Sequence, residues 1–371
     1  MQQPNDYPKR MLLAVSGMSP QIVTETLYSL VINQPEPFIP TEIHLITTVS
    51  GAKEARLQLL HPKTGKFQQL RQDYGLPDIY FPEENIHVIE DYQGQQLDDI
   101  KTPSQNEAAA DYITSIVSTL TRHDDTALHV SIAGGRKTMG YYLGYALSLY
   151  GRSQDRLSHV LVTDRYENLP DFFYPTPSSQ VIYDREKRAL DSKEAEVMLA
   201  EIPFVRLRVG IPEHLQEGKT TFSESIKFVR QIEVAPHLHI DRVNRCFWVS
   251  DNKVVLQEVN FIFYQWLLER SINGEPLKRP RKGNNVECAQ DFISFYNRHI
   301  NIAKDNDRTV NALDKGMPNK WLSERISLIK QSFEKSLGKY AAQPFIVQST
   351  GNNSNLQYHI ALTEKQITLV A

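Results

Sequence analysis

The chain has 371 residues, of which 40% are hydrophobic and 23% charged, a composition typical of a globular protein long enough for two domains. Two cysteines are too few for a disulfide framework or a thiolate metal site, and neither a signal peptide nor a run of about 18 apolar residues is found, so we expect a cytoplasmic protein without membrane contact. The net charge of −3 divides unevenly: residues 1–200 carry 18 Lys and Arg against 26 Asp and Glu (−8), and residues 201–371 carry 23 against 18 (+5).

Strand and helix signals alternate through the first half of the chain. Short apolar runs predict buried strands at residues 12–15, 43–49, 87–89, 128–133 and 159–163. Apolar residues at helical spacing predict helices at residues 20–31, 51–60, 104–121 and 137–150. This alternation predicts an α/β fold with a doubly wound, mostly parallel sheet.

The pattern changes in the second half. A charged segment at residues 184–201 predicts a connecting helix, and residues 243–249 and 254–256 predict a hairpin. Helices at 257–270 and 321–337, followed by strands at 344–348 and 356–362, form the order of an α+β winged-helix domain, with an insertion at about 274–320. We therefore expect a first domain at residues 1–180, a connecting segment at 181–235 and a winged-helix-like domain at 236–371.

Two of the predicted strands end in a Gly-containing turn that opens a helix. We call residues 16–20 the first turn and residues 134–138 the second turn. Both follow carboxyl ends of parallel strands, where ligands of such sheets bind near a topological switch point. Backbone N–H groups at a helix start attract anions, so we expect the two turns to share one phosphate site.

The second turn, Gly-Gly-Arg-Lys-Thr, does not satisfy the P-loop pattern. That motif requires glycine six residues before its lysine and another immediately before it, where this chain has Ser131 and Arg136. Gly134 and Gly135 still let the backbone approach a ligand closely, Arg136 can clamp phosphate oxygens, and Lys137 adds a compact charge. The alternative is a tight turn with solvated cations.

The first turn, Ser-Gly-Met-Ser-Pro, resembles a nucleophile elbow only in part. Gln21 stands where the closing glycine belongs, and Pro20 follows the serine, so a hydrolase triad is not expected. Ser19 before Pro20 is also a good helix N-cap. On the residues alone, a capping role and a catalytic role for Ser19 are equally supported.

The motifs Ser-Gly-Met-Ser-Pro at 16–20 and Ser-Ile-Ala-Gly-Gly-Arg-Lys-Thr-Met at 131–139, with segments 148–152 and 158–162, closely resemble CARF-domain proteins of type III CRISPR systems, in their ring-nuclease-like branch. The resemblance covers roughly residues 10–180. It implies a Rossmann-like domain that forms a homodimer and holds a cyclic oligoadenylate, the tetramer, across the two-fold axis. In such enzymes the ligand's 2′-hydroxyl attacks the adjacent phosphate without metal or cofactor, giving linear products with 2′,3′-cyclic phosphate ends and ending the antiviral signal.

The resemblance also implies roles for individual residues. Lys137 would stabilise the transition state or the leaving oxygen, Ser19 or Ser16 would fix the scissile phosphate, and Arg136 is a second candidate cation. The sequence does not decide between the serines. The residues expected to contact the ligand are Gly17, Met18, Gln21, Gly134, Gly135 and Thr138.

The competing function is a transcription regulator gated by the same ligand. Its winged helices would bind DNA through the basic second half, with residues 321–337 as recognition helix. Residues 278–282, Lys-Arg-Pro-Arg-Lys, form a dense basic loop that either contacts nucleic acid or is merely solvated. A third possibility is that the second domain only enlarges the dimer interface.

Overall fold

A computed structural model describes residues 2–167, 169–208, 221–224, 226, 235–279, 284–300, 307–351 and 355–370. The chain divides into a first unit, Met1–Arg208 with Gln216–Ile226, and a second unit, Val209–Leu215 with Lys227–Ala371. Within the described ranges, no helix combines the length and the apolar character needed to cross a membrane.

The first unit is a mixed α/β structure whose strands and helices alternate. Its elements are β1 Lys9–Val15, α1 Gln21–Val31, β2 Glu42–Thr47, α2 Val49–Gln58, α3 Lys66–Asp73, β3 Ile86–Val88, α4 Pro103–Leu120, β4 Thr126–Ser131, α5 Lys137–Tyr150, β5 Arg156–Val162, β6 Val181–Tyr183, β7 Ala189–Asp191 and β8 Val197–Glu201. The main sheet has the order β3-β2-β1-β4-β5-β8. Its first five strands are parallel, as predicted, and β8 pairs antiparallel with β5.

Both faces of the central strands are covered, which explains why their sequences are continuously apolar. Leu12 and Ala14 of β1 join a core formed with α1, α2 and α3. The alternate side chains Met11 and Leu13 are also buried but lie outside that core, since successive side chains of a strand point to opposite faces. Helices α4 and α5 pack on each other, and α5 also contacts β1 and β4.

The strand order reverses between β1 and β4. From β1 the chain proceeds through β2 to β3 on one side, and from β4 it proceeds to β5 on the other. In open sheets of this kind the crevice for a ligand lies outside the carboxyl ends of the two strands at the reversal. These ends are where the first and second turns begin.

The predicted connecting helix at residues 184–201 is wrong. This segment contains β7, which pairs with β6, a short 3-10 turn at Ser192–Glu194, and β8, which completes the main sheet. In β8, Val197 is fully buried and the next residue, Met198, is exposed, as expected where successive side chains of a strand point to opposite faces. The first unit therefore extends beyond the predicted boundary at residue 180.

The second unit contains two smaller sheets and four described helices. Its elements are β9 Leu238–Asp241, β10 Cys246–Val249, β11 Asn252–Val255, α6 Glu258–Ile272, β12 Leu277–Lys278, α7 Val286–His299, α8 Asp307–Leu313, α9 Asn319–Ala341, β13 Val347–Thr350, β14 Gln357–Ile360 and β15 Ile367–Val370. The sheet orders are β11-β10-β9-β15 and β12-β14-β13. The predicted hairpin is confirmed as β10–β11, and the predicted helix at 321–337 lies within α9.

The second unit has its own aromatic core. Phe247 of β10 packs against Tyr264 of α6 and Phe333 of α9, with ring centroids 4.8 and 5.8 Å away. The buried Tyr264 hydroxyl donates a 2.7 Å hydrogen bond to the carbonyl of Phe345, which satisfies its one polar group. Residues 280–282 of the basic loop lie outside the described residues.

Candidate functional site

The first and second turns are in direct contact. A β-carbon on Gly17 would lie 3.8 Å from the Cα atom of Gly135, and one on Gly134 would lie 2.6 Å from the carbonyl oxygen of Val15. Real Cβ atoms are not found so close to a carbonyl oxygen, so only glycine fits at residue 134. Gly135 has a φ of +76°, a left-handed conformation that glycine adopts without strain. The paired glycines thus let two strand ends meet.

The end of β2 supports the first turn from its other side. Thr47 donates a 2.7 Å hydrogen bond from its hydroxyl to the carbonyl of Ser16, and Ser16 N–H donates to the carbonyl of Ile46 at 3.1 Å. A β-carbon on Gly51, in the first part of α2, would lie 2.5 Å from the Gly17 carbonyl oxygen. Thr47 and Gly51 were not predicted to take part, and a glycine near the start of a predicted helix was the only signal for them.

Lys137 is the unpaired cation of the second turn. It is the first residue of α5, it is exposed, and its ammonium group has no hydrogen bond or ion pair within the described part of the chain. Thr138 beside it is also exposed. The N-terminal end of α5 carries no acidic residue, and no side chain caps this helix. Its free N–H groups and the helix dipole therefore reinforce the charge of Lys137 at this point.

Arg136 is held by a carboxylate that was not predicted. Its Nε and one terminal nitrogen contact the two oxygens of Asp99 at 2.7 and 2.5 Å, a bidentate pair. These hydrogen bonds from Arg136 lower the pKa of Asp99 to about 2, so the carboxylate stays ionised. Arg136 was expected to clamp phosphate oxygens, whereas in the structure two of its three guanidinium nitrogens already contact Asp99.

The two candidate serines differ in accessibility. Ser16 is fully buried, and its hydroxyl oxygen has no hydrogen-bond partner within the described residues. Ser19 is exposed, and its side chain does not cap α1, because Pro20 occupies the position before the helix. The predicted N-cap hydrogen bond of Ser19 is therefore absent from the described structure, and its hydroxyl is available to a ligand.

A cavity of about 860 Å³ adjoins the first turn. Met18, which is 59% exposed, and Ser19 line it together with the residues that follow β5. Gln21 also lines the cavity, and its amide nitrogen donates a 3.1 Å hydrogen bond to the carbonyl of Pro170. Of the residues predicted to bind the ligand, Met18 and Gln21 thus line this cavity, whereas Lys137 and the rest of the second turn do not.

Glu25 lines the same cavity one helical turn after Gln21. It is 9% exposed, and no hydrogen bond or ion pair to it is present in the described structure. Burial, with a smaller contribution from the charge of Glu167, raises the pKa of Glu25 to about 8. Sequence analysis missed this residue, because a glutamate on a helix is usually a solvated one.

Histidines cluster elsewhere in the unit. His44 Nδ1 lies 3.0 Å from His87 Nε2, and His44 Nε2 lies 2.5 Å from a Glu42 oxygen. Burial and the neighbouring His44 lower the pKa of His87 to about 4, and burial lowers the pKa of His44 as well. Across the described ranges, no group of three or more His, Cys, Asp and Glu side chains is placed to hold a metal ion.

Comparison with known families identifies the chain. The family described as CRISPR-associated protein NE0113 matches residues 19–234, which is more than half of the sequence and contains the second turn, Ser19 and Asp99. Comparison with curated proteins gives no match. By the extent of the family match, the chain is a member of the CRISPR-associated protein NE0113 family.

Proposed function

We propose that this protein is a metal-independent ring nuclease that binds cyclic tetraadenylate and cleaves it to linear products with 2′,3′-cyclic phosphate ends. One observation carries the proposal: an unpaired lysine starts a helix beside a Gly-Gly turn that touches an exposed-serine turn, at the reversal point of a parallel sheet. Membership of a CRISPR-associated family agrees with a role in such signalling.

Each part of the site has a role in this reaction. The 2′-oxygen of one adenylate forms a bond to the adjacent phosphorus while the bond to the 5′-oxygen breaks, and the proton of the 2′-hydroxyl passes through water to the leaving oxygen. Negative charge grows on the phosphorane, where Lys137 and the N–H groups of α5 stabilise it. Ser19 donates a hydrogen bond to a non-bridging oxygen. Arg136, oriented by Asp99, binds a neighbouring phosphate.

A homodimer suits the symmetry of the ligand. A ring of four adenylates presents the same groups to two protomers, each of which supplies one pair of turns. In this arrangement the Rossmann-like first unit acts as a CARF domain. The protein needs only to hold the ribose in line with the scissile bond and to stabilise the developing charge, so the reaction does not depend on a metal.

The test is direct cleavage. Purified protein is incubated with labelled cyclic tetraadenylate in EDTA, and the products are separated by chromatography. We expect linear oligoadenylates with 2′,3′-cyclic phosphate ends. Cyclic tetraadenylate that stays intact and tightly bound for hours would overturn the nuclease activity and favour the transcription regulator gated by this ligand. Failure to bind cyclic tetraadenylate would overturn both functions.

The alternative function, a transcription regulator gated by the same ligand, depends on the second unit. The order α6, β12, α7, α8, α9, β13, β14, with β12 paired to β14, supports a winged-helix arrangement that binds DNA. The expected recognition helix offers few free cations, however. Arg325 contacts Asn260 and Glu324, Lys330 lies 3.8 Å from Glu334, and Lys335 also has a partner. This pairing weakens the case for phosphate contacts, and we favour the nuclease.

A further inference from the structure

The cavity beside the first turn is chemically unlike the phosphate site. The titratable side chains that line it are Glu25 of α1, His159 of β5, Asp164, Arg165 and Glu167 after β5, and Glu196 before β8. Four of these are carboxyl groups and one is a guanidinium. Such a lining disfavours a phosphate and favours a neutral group that offers N–H donors. A ligand whose phosphates lie at the turns would therefore place a different part of itself here.

Part of the cavity wall is apolar. Ile22, Val160 and Leu169 give it apolar surface, and Glu25 is the acid most enclosed by protein. Because Glu25 is nine-tenths buried and its carboxyl group is unpartnered in the described structure, an unmet hydrogen-bonding group lines an open cavity. Buried polar groups are normally paired, so an unpaired one beside a cavity points to a ligand.

The geometry points to an adenine site: this cavity takes one base of the ring in each protomer, and Glu25 recognises the N1 and N6 edge of that base. The inference rests on the proposed function, which brings an adenylate ring to the adjoining turns. Ser19 lines the cavity and also belongs to the first turn, so the ribose that joins base and phosphate would pass beside it.

The protonation state of Glu25 fits this edge. With a pKa raised by burial to about 8, the group is a neutral carboxylic acid at pH 7. Its O–H donates to the adenine N1, which is an acceptor, and its carbonyl oxygen accepts from the 6-amino group. An ionised carboxylate has no donor for N1 and would lose one of these two hydrogen bonds.

The experiment compares two rings. One is cyclic tetraadenylate, and in the other each adenine base is replaced by purine, which lacks the 6-amino group. In both ligands a 2′-fluoro group replaces the 2′-hydroxyl, so that neither can be cleaved by 2′-hydroxyl attack. Binding is measured by calorimetry at pH 7.5. We expect the wild type to bind the cyclic tetranucleotide with adenine bases about tenfold or more tightly than the one with purine bases. This is the usual effect of leaving one buried hydrogen-bonding group unpaired.

Two variants assign the preference to Glu25. Glu25→Gln keeps one donor and one acceptor and should retain the preference, whereas Glu25→Leu should abolish it. From pH 7.5 to 9.5 the wild type should bind both rings more weakly, because ionised Glu25 has no donor for the N1 atom that adenine and purine share, while binding by Glu25→Gln should not change. Thermal unfolding of both variants checks that they are folded.

The outcomes separate the two proposals. Equal binding of both rings by the wild type, or an undiminished preference in folded Glu25→Leu, would overturn the adenine site alone. Failure of the wild type to bind either ring would overturn the proposed function and this inference with it.

Discussion

The first and second turns lie side by side but are built in opposite ways. The first turn has no charged residue, and it is held at Ser16, which accepts a hydrogen bond from Thr47 and donates one to the carbonyl of Ile46. The second turn carries two adjacent cations, of which Arg136 is paired with Asp99 and Lys137 has no partner among the residues that the structure describes. The difference indicates a division of labour, in which the first turn fixes position and the second supplies charge.

The strongest test of this division is Lys137→Ala. Removing one preorganised charge should slow cleavage of cyclic tetraadenylate by about 100-fold or more, because the charge acts mainly on the phosphorane. Binding of the ring should weaken much less. Single-turnover cleavage and equilibrium binding measure the two effects. Lys365→Ala, which removes an exposed lysine of the second unit, is the control for net charge.

An equal loss of binding and cleavage in Lys137→Ala would show that the lysine serves binding only. In that case the second turn would not be the catalytic one, and the comparison between the turns would fail.

The contact between the turns can be broken at Gly134. In Gly134→Ala the new methyl group would meet the Val15 carbonyl oxygen at 2.6 Å and Cγ1 of Ile22 at 2.9 Å, so the turns must move apart. We expect a loss of about 1–3 kcal/mol in unfolding free energy from this overpacking, and cleavage slowed by tens of fold through misalignment.

The matched control is Gly144→Ala in the middle of α5. A β-carbon there meets only Leu157 Cδ2 at 3.7 Å, an ordinary contact. Alanine should stabilise this helix position by about 0.5–1 kcal/mol and leave cleavage unchanged. Denaturant unfolding and cleavage rates are compared for both variants. Similar behaviour of the two would contradict a close contact at Gly134.

The serines test which side chain of the first turn reaches the ligand. Ser19→Ala should slow cleavage about tenfold, the effect of one lost hydrogen bond to the phosphate. Ser16→Ala should have little effect, since its buried hydroxyl has no partner to lose in the described structure. Cleavage rates with labelled cyclic tetraadenylate distinguish the two serines. A larger loss of rate in Ser16→Ala than in Ser19→Ala would show that Ser16, and not Ser19, contacts the phosphate.

The sequence predicted the parts of the site that depend on local pattern. Apolar strands followed by glycine turns gave both turns, and the alternation of strand and helix gave the parallel sheet that brings them to one edge. α5 was predicted at the residues where the structure has it, Lys137–Tyr150. Local pattern suffices here because strand, turn and helix are adjacent in the chain.

Pairings between distant segments were not predictable. Asp99 lies 37 residues before Arg136, and no spacing rule joins them. β8 was mistaken for part of a helix because it is short and follows a charged segment, and its strand character depends on pairing with β5. Glu25 depends on the fold in the same way, since a buried acid and a solvated one look identical in sequence.

The smallest expected effect concerns the paired cation of the second turn. Asp99→Asn removes the carboxylate that orients Arg136 and also removes a negative charge near the proposed phosphates. The pair is partly exposed, so its loss should change the rate only about two- to fivefold, toward slower cleavage, while ring binding stays equal or tightens.

The neighbouring Asp98→Asn is the matched control, because Asp98 is exposed and makes no ion pair within the described residues. It removes the same charge without releasing Arg136. Slower cleavage in Asp99→Asn alone would show that Arg136 acts through its orientation, since both variants remove one negative charge and only Asp99→Asn removes the ion pair with Arg136. Equal cleavage rates in Asp99→Asn and Asp98→Asn would mean that only the loss of one negative charge near the site affects cleavage. With a pKa near 2, Asp99 is ionised at every working pH, so this difference should not vary between pH 5 and 8.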